Sequence, residues 1–387
     1  MKPIFASKPL QLVILQPTSF CNIQCEYCYL SEKNRDTKGL MSVEVLETIC
    51  KKVFGCELVN QALGMRFTWH AGEPLVAPIS FYKNAIELTT KYKKEHLEVV
   101  HQIVTNATLI TDEWCKFFVE NKIEIVVSID SPEFIHDAFR KKRNGKGSFK
   151  DAIRGITLLK QYGIRFYTLT TITHQTLDYA KELFEFYEEF GIESIGLNFE
   201  EIVGHNQSTS LTNGGIDKKV ENFIRTFYNY LKVQKKIKVR EFETILGYVF
   251  YGEEYDSVQS NSISPFSILS IDKDGNFCTF SQELLDMKHN RYGDFVLGNI
   301  MIDDIDEVAK SPKLKEIYNE IIQGVENCQN ECEYFDVCGG GMPSSKLSGN
   351  GNKPEEGRFD ATETLYCKLA IKKMADIVLE DLETMSI

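Results

Sequence analysis

The chain has 387 residues, 43% of them hydrophobic and 26% charged, with a formal charge of −12. That length can bury a large core and suits a main domain with a smaller appendage, while the acidic balance argues against a nucleic acid partner held through its phosphates. No apolar run long enough to span a bilayer and no basic-plus-apolar leader is present, so neither a membrane span nor export is expected, and eleven cysteines fit a reducing cytoplasm with metal ligation better than a disulfide framework.

From residue 11 to about 200, short β-rich runs alternate with amphipathic helical stretches, the pattern of parallel β/α units. Strands are expected at Leu12 to Gln16, Met65 to His70, Val100 to Thr105, Ile123 to Ile129, Arg165 to Thr171 and Ser194 to Phe199. Helices are expected at Ser42 to Phe54, Phe81 to Lys94, Asp112 to Asn121, Phe149 to Tyr162 and Thr176 to Phe190. Six strands and five intervening helices make an α/β fold, an open, partial (β/α)6 barrel, in which the loops after the strands build the active site. Residues 204 to 215 are polar and Gly-rich and read as a mobile loop, followed by a helix from about Asp217 to Lys235 and a helical or irregular stretch to Tyr251. A second domain starts near Ser264, and Ser348 to Thr364 reads as a surface excursion. The expected division is a barrel at 1–235, a connecting segment at 236–263 and a C-terminal domain at 264–387.

The loop after the first strand, CNIQCEYCYL, holds Cys21, Cys25 and Cys28, with Tyr27 before the last. Three thiolates on one short loop can hold three irons of a cubane [4Fe-4S] cluster and leave the fourth iron free to bind a second molecule. Structural zinc and electron-transfer clusters are closed by four ligands, so an isolated triad argues for chemistry at the metal. The plainer alternative is three buried cysteines on a turn. HAGEP, His70 to Pro74, ends the second strand; read alone, its Gly-Glu-Pro is a turn.

CxxxCxxC together with HAGEP resembles the radical S-adenosylmethionine (SAM) superfamily. The resemblance implies that the open iron chelates the amino and carboxylate groups of SAM, and that one electron from the cluster cleaves it to methionine and a 5′-deoxyadenosyl radical, which removes a substrate hydrogen. It further implies cofactor contacts at Tyr27, Gly72, Glu73, Asn106 in TNATLI, Ser128 in VSIDSP and Arg140 in IHDAFR, with Asp130 facing the substrate. Glu73 is expected to accept from the SAM ammonium. Ala71 replaces the first glycine of the family's motif, and its methyl is tolerable if that residue keeps negative φ. Asn106 as a turn residue, Ser128 as a strand-end cap and Arg140 as a surface charge are the alternatives.

The C-terminal part carries Cys328, Cys332 and Cys338 in CQNECEYFDVC, then GGGM and, further on, Cys367. This resembles the SPASM domain, whose full pattern serves two auxiliary [4Fe-4S] clusters with seven cysteines. Here Met342 replaces the cysteine after the glycines, and Gly298 lacks the cysteine expected after it. One complete set remains, which implies one auxiliary [4Fe-4S] cluster on Cys328, Cys332, Cys338 and Cys367, serving electron transfer or folding; zinc is the alternative. Cys278 is left as a core thiol, a spare ligand or a proton or radical participant, and Cys50, Cys56 and Cys115 read as structural.

The segment CTFSQELLDMKHNRYGDFVLGNI resembles peptide maturases of the GRRM and XYE type, some of which forge three-residue cyclophanes. The resemblance implies a ribosomally synthesised precursor peptide as substrate, an electron donor such as flavodoxin or ferredoxin, and hydrogen abstraction, from Cβ, that leads to an intramolecular crosslink. Glu283 or Asp274 could take the proton released, although both also read as solvent-facing turn residues. The chain offers no N-terminal extension to bind a leader, so the leader is expected to dock on the barrel, the second domain or a partner. An anaerobic sulfatase-maturating enzyme, forming formylglycine, is the alternative enzyme; a non-catalytic iron-sulfur or redox-sensing protein is the alternative from another class, against which HAGEP after a strand argues.

Overall fold

The computed structural model describes residues 8–212, 214–234, 236–252, 261–348 and 354–385. Alternating Val, Ile, Phe and Thr build six strands close to where the pattern placed them: β1 (Leu12–Leu15), β2 (Met65–Trp69), β3 (Val99–Thr105), β4 (Glu124–Ser128), β5 (Phe166–Ile172) and β6 (Ser194–Phe199). Each pairs in parallel with the next. The sheet does not stop there. β7 (Lys238–Val239) extends it beyond β6, and β8 (Ile268–Ile271) lies parallel to β1 on the other side, followed by antiparallel β9 (Asn276–Thr279) and β10 (Gly298–Asn299). One ten-stranded sheet therefore continues into the segment after Ser264, and every residue of β8 is buried.

The crossovers are helices with one apolar face. The first, α1 (Val43–Gly55), buries Val45, Leu46, Ile49, Cys50, Val53 and Phe54 and is capped by Ser42, whose side chain accepts from Val45 N. Then come α2 (Ile79–Tyr92), α3 (Asp112–Asn121, capped by Thr111), α4 (Glu133–Phe139), α5 (Phe149–Gln161) and α6 (Ala180–Glu189), the last preceded by a single 3₁₀ turn at Thr176–Asp178. Cys50 and Cys115 are wholly buried on α1 and α3, and Cys56 is buried just after α1. Helix α4 and the short strand Arg140–Lys142 after it have no counterpart in the expected elements; the strand forms an antiparallel ribbon with Ile23–Cys25. Further on, α7 (Ile216–Val233) and α8 (Arg240–Tyr251) lead to the C-terminal part, built on α9 (Pro312–Glu331, capped by Ser311) and α10 (Lys373–Met385).

Two expectations about loops change. The start of the 204–215 stretch is packed: His205 N donates to Tyr29 O at 2.8 Å, and buried Asn206 donates through Nδ2 to Glu201 O at 2.6 Å. The expected surface excursion at 348–364 includes residues 349–353, which lie outside the described residues, but its second half enters the core. Phe359 is fully buried against Tyr292 and Phe295, because an aromatic side chain there has more apolar area to hide than a polar loop can leave exposed.

Candidate active site

The loop after β1 is pinned from several sides. Its ribbon with Arg140–Lys142 sets Cys25 opposite Arg140, Glu26 N donates to Phe139 O at 3.0 Å, and Arg143 Nε donates to Cys21 O at 2.7 Å. Cys21 is buried, Cys25 and Cys28 half-buried, and none is in a disulfide. Burial and then the neighbouring charges of Cys25 and Glu73 push the Cys21 thiol far above its ordinary range, and Cys25 is pushed up to about 12 by burial, with Arg140 opposing and Cys28 adding. Three soft donors that repel one another as thiolates are a set that a cationic iron cluster relieves.

The HAGEP loop packs directly on this cysteine loop. Ala71 has φ 75° and Gly72 φ 56°, so Ala71 takes the left-handed conformation in spite of its methyl, against the expectation of negative φ. The loop must turn sharply to meet its neighbour. A Cβ on Gly72 would lie 2.5 Å from Phe20 O, and Glu73 N donates to that same oxygen at 2.9 Å. Glu73, 1% exposed, accepts from Leu75 N at 2.9 Å, Thr105 Oγ1 at 2.7 Å and Asn106 N at 2.8 Å. Burial raises its carboxyl to about 7 against the pull of these three bonds. Two of these bonds fall on Oε1 and one on Oε2, and together they bolt the loop to the end of β3.

Asn106 carries the bolt onward. Its Nδ2 donates to Asn22 Oδ1 at 2.9 Å and lies 3.9 Å from Cys21 Sγ, while its Oδ1 accepts from Thr108 N at 3.0 Å and Thr108 Oγ1 at 2.6 Å. Ser128 ends β4, half-buried. Asp130, 1% exposed, accepts from Arg140 Nε at 2.9 Å, Arg140 Nη2 at 3.3 Å, Thr171 N at 2.9 Å and the Tyr27 hydroxyl. Burial works to raise its carboxyl, but Arg140 and the hydrogen bonds hold it below the ordinary carboxylate range. The guanidinium also sits over the Tyr27 ring at 5.3 Å and 3.9 Å from Cys25 Sγ. Asp130, Arg140 and Tyr27 thus form a closed bracket behind Cys25, with all of the Asp130 bonds described made to protein donors.

Asp274 lies elsewhere, in the exposed turn between β8 and β9, its side chain 65% exposed and paired with Lys273 at 2.6 Å. Glu283 is half-buried and accepts from Ser281 Oγ and from Gln282 Nε2 at 2.7 Å; burial raises its carboxyl to about 7. Its charge is felt by Tyr29, Cys278 and Glu201. Glu201, raised to about 7 by burial, is in turn held by the Ser345 hydroxyl. The Tyr29 hydroxyl lies 3.3 Å from His70 Nδ1, and burial lowers the His70 imidazole to about 4, leaving it neutral. Sequence reasoning passed over Tyr29, His70 and Glu201. The signal was position: His70 directly follows β2 and Glu201 closely follows β6, at the strand ends where a parallel barrel places its working residues.

A second thiol set lines a small cavity. Cys328 comes from the last turn of α9, Cys332 and Cys338 from the turn beyond it, and Cys367 from just before α10. Burial pushes Cys338 up to about 12, with Cys367 and Cys328 adding, and Cys367 up to about 11. Cys278 is 1% exposed, and its charged neighbours are Glu283 and Asp272 rather than another cysteine; its thiol donates to Ser281 O at 3.3 Å.

Residues 15–187 match the model of the radical SAM superfamily. An uncharacterised Synechocystis protein is 36% identical over 380 residues, covering 97% of this chain and 92% of that protein. The serine-type anaerobic sulfatase-maturating enzyme of Bacteroides thetaiotaomicron is 29% identical, over 88% of this chain and 84% of that enzyme. Among solved structures, native anSMEcpe with bound AdoMet and Cp18Cys peptide shares the fold with a TM-score of 0.77 at 24% identity, over 97% of this chain and 98% of that one. Streptococcus suis SuiB bound to precursor peptide SuiA does so with a TM-score of 0.61 at 16% identity, over 91% and 75%. No helix among the described residues is long and apolar enough to cross a membrane. The triad after β1, the loop bolted against it and these matches agree: residues 15–187 are a radical SAM domain, with SAM and a [4Fe-4S] cluster as cofactors.

Proposed function

We propose that the chain is a peptide-modifying radical SAM oxidoreductase that removes a hydrogen, from Cβ, of a ribosomally made precursor peptide and installs an intramolecular crosslink of the cyclophane kind. The observation that carries this reading is one fold holding two separate thiol sets with titratable groups between them. Tyr29 feels the charges of Cys28 and Glu283, Glu201 feels that of Glu283, and the Ser345 hydroxyl that holds Glu201 lines the four-cysteine pocket. When bound, the cluster on Cys21, Cys25 and Cys28 and its SAM supply the 5′-deoxyadenosyl radical. The fixed bracket of Asp130, Arg140 and Tyr27 keeps Cys25 in place, and Glu73 and Asn106 do the same for Cys21. In the reaction proposed, a Cβ–H bond breaks and its hydrogen atom leaves as part of 5′-deoxyadenosine. The carbon radical adds to an aromatic ring, and one electron and one proton then leave the ring. Glu283, with a carboxyl raised to about 7, is the proton acceptor at neutral pH. Cys328, Cys332, Cys338 and Cys367 hold the auxiliary [4Fe-4S] cluster that takes the electron, and a flavodoxin- or ferredoxin-type donor reduces the first cluster.

A second reading, formylglycine formation as in an anaerobic sulfatase-maturating enzyme, is favoured by the Bacteroides relative's match along 84% of its length. Against it stands Cys278, isolated from the other cysteines, since that family resembles this chain in the barrel but uses two complete auxiliary clusters. The test is anaerobic incubation with SAM, reductant and a candidate precursor peptide, followed by tandem mass spectrometry. Loss of two hydrogens with a fragmentation-resistant three-residue block supports the crosslink. An aldehyde at Cys or Ser selects the second reading.

A further inference from the structure

We infer that Lys346 sets the reduction potential of the auxiliary cluster, holding it higher than four thiolates alone would. The inference rests on the reading of the four-cysteine cavity as a cluster site. Lys346 is 5% exposed, lines that cavity, and donates from Nζ to Cys328 Sγ at 3.6 Å. A lysine is almost never buried unless something compensates its charge. Among the described residues it has no carboxylate within ion-pair distance, and the oxygens of its acidic neighbour Asp360 are engaged by Arg358. What faces the ammonium is sulfur: its charged neighbours in the cavity are Cys328, Cys338 and Cys367.

The fold makes room for this. Gly324 lies inside α9, where glycine is less favourable than alanine. A Cβ there would fall 2.9 Å from Lys346 Nζ and 2.2 Å from Phe359 O. The helix thus gives up a side chain where the ammonium and the Phe359 carbonyl converge.

One electron entering a cluster on four thiolates lowers its charge by one, and no bond forms or breaks. A cation within hydrogen-bonding reach of a ligand sulfur stabilises the reduced form more than the oxidised one, and burial strengthens the effect. Lys346 would thereby make the site a better acceptor for the electron that the proposed crosslinking reaction releases. Lys372 is a built-in comparison: it too is felt by Cys367 and Cys332, but it is ion-paired with Glu363 at 2.8 Å.

The experiment uses the full chain with Cys21, Cys25 and Cys28 changed to Ala, reconstituted anaerobically, so that the auxiliary cluster alone reports in an EPR-monitored redox titration. Lys346→Met should lower the reduced-to-oxidised ratio at a fixed solution potential at least about tenfold, a downward shift of about 59 mV for one electron. Lys346→Arg should recover most of that shift, and Lys372→Met should move it little. Should Lys346→Met fail to take up iron, Lys346→Gln gives the same neutral comparison. An unchanged midpoint in a cluster-loaded neutral variant overturns the inference alone, whereas no cluster in the triad-free parent overturns the reading of the cavity and the inference with it.

Discussion

Changing Asp130 to Asn tests whether the bracket behind the cysteine loop is what holds it. The carboxylate neutralises Arg140, which is 7% exposed, and accepts from Arg140, Thr171 N and Tyr27. An asparagine fills the same space but leaves the guanidinium buried without an opposite charge, and removing one partner of a buried pair costs about 3–5 kcal/mol. For a chain of 387 residues that lowers Tm by roughly 4–6 °C. Thermal unfolding of the iron-free protein followed by circular dichroism measures this without interference from the clusters. Asp130→Asn combined with Arg140→Met should recover much of the loss, since it removes both charges. The pH sign also follows: a carboxyl held below its unfolded value contributes stability that is fully present at neutral pH and is lost as pH falls through the lowered folded value. The gap between wild type and Asp130→Asn should therefore persist from neutral pH to about 4 and close in stronger acid. A single variant with unchanged Tm at neutral pH, or a double variant no better than the single, would refute the bracket.

Gly72→Ala places a Cβ 2.5 Å from Phe20 O at φ 56°, adding about 1–2 kcal/mol of backbone strain to the clash; iron analysis should fall from about eight irons per chain to about four, with SAM cleavage lost. Cys328→Ala should also leave about four irons, but with SAM cleavage retained; equal loss of cleavage in both variants would contradict the division of labour between the thiol sets. Glu283→Gln should cut peptide product at least about 100-fold while 5′-deoxyadenosine still forms, measured by chromatography. Because a base must be ionised to act, the wild-type product rate should rise with pH through about 7 as the raised Glu283 carboxyl loses its proton, and a flat profile would count against that role.

Much of the barrel is local and was therefore legible. The strand alternation around Met65–Trp69 and Ser194–Phe199, and the apolar face of Asp112–Asn121, are properties of short windows, and the elements formed there. Pairing across long separations is not written in any window. Nothing in Ile268–Ile271 says that it lies beside Leu12–Leu15 and carries the sheet onward. The cysteine positions gave the metal chemistry because spacing and donor type suffice for it. Their supports were not legible for a different reason: Glu73 and Asp130 sit in motifs that suggest outward contacts, and only the fold shows that burial also gives each carboxylate several protein donors. Ala71 at φ 75° shows the same thing for the backbone, where the close meeting with the cysteine loop outweighs the residue's own preference. Glu201 was invisible because it belongs to no motif; only the folded sheet turns it toward Ser345.

The central claim is that the first thiol set leaves one iron open to SAM. Reduced, reconstituted protein should cleave SAM to methionine and 5′-deoxyadenosine, and with a Cβ-deuterated precursor peptide the 5′-deoxyadenosine should carry the deuterium. A protein with its full iron complement that leaves SAM intact would contradict the account and return the chain to the iron-sulfur sensors.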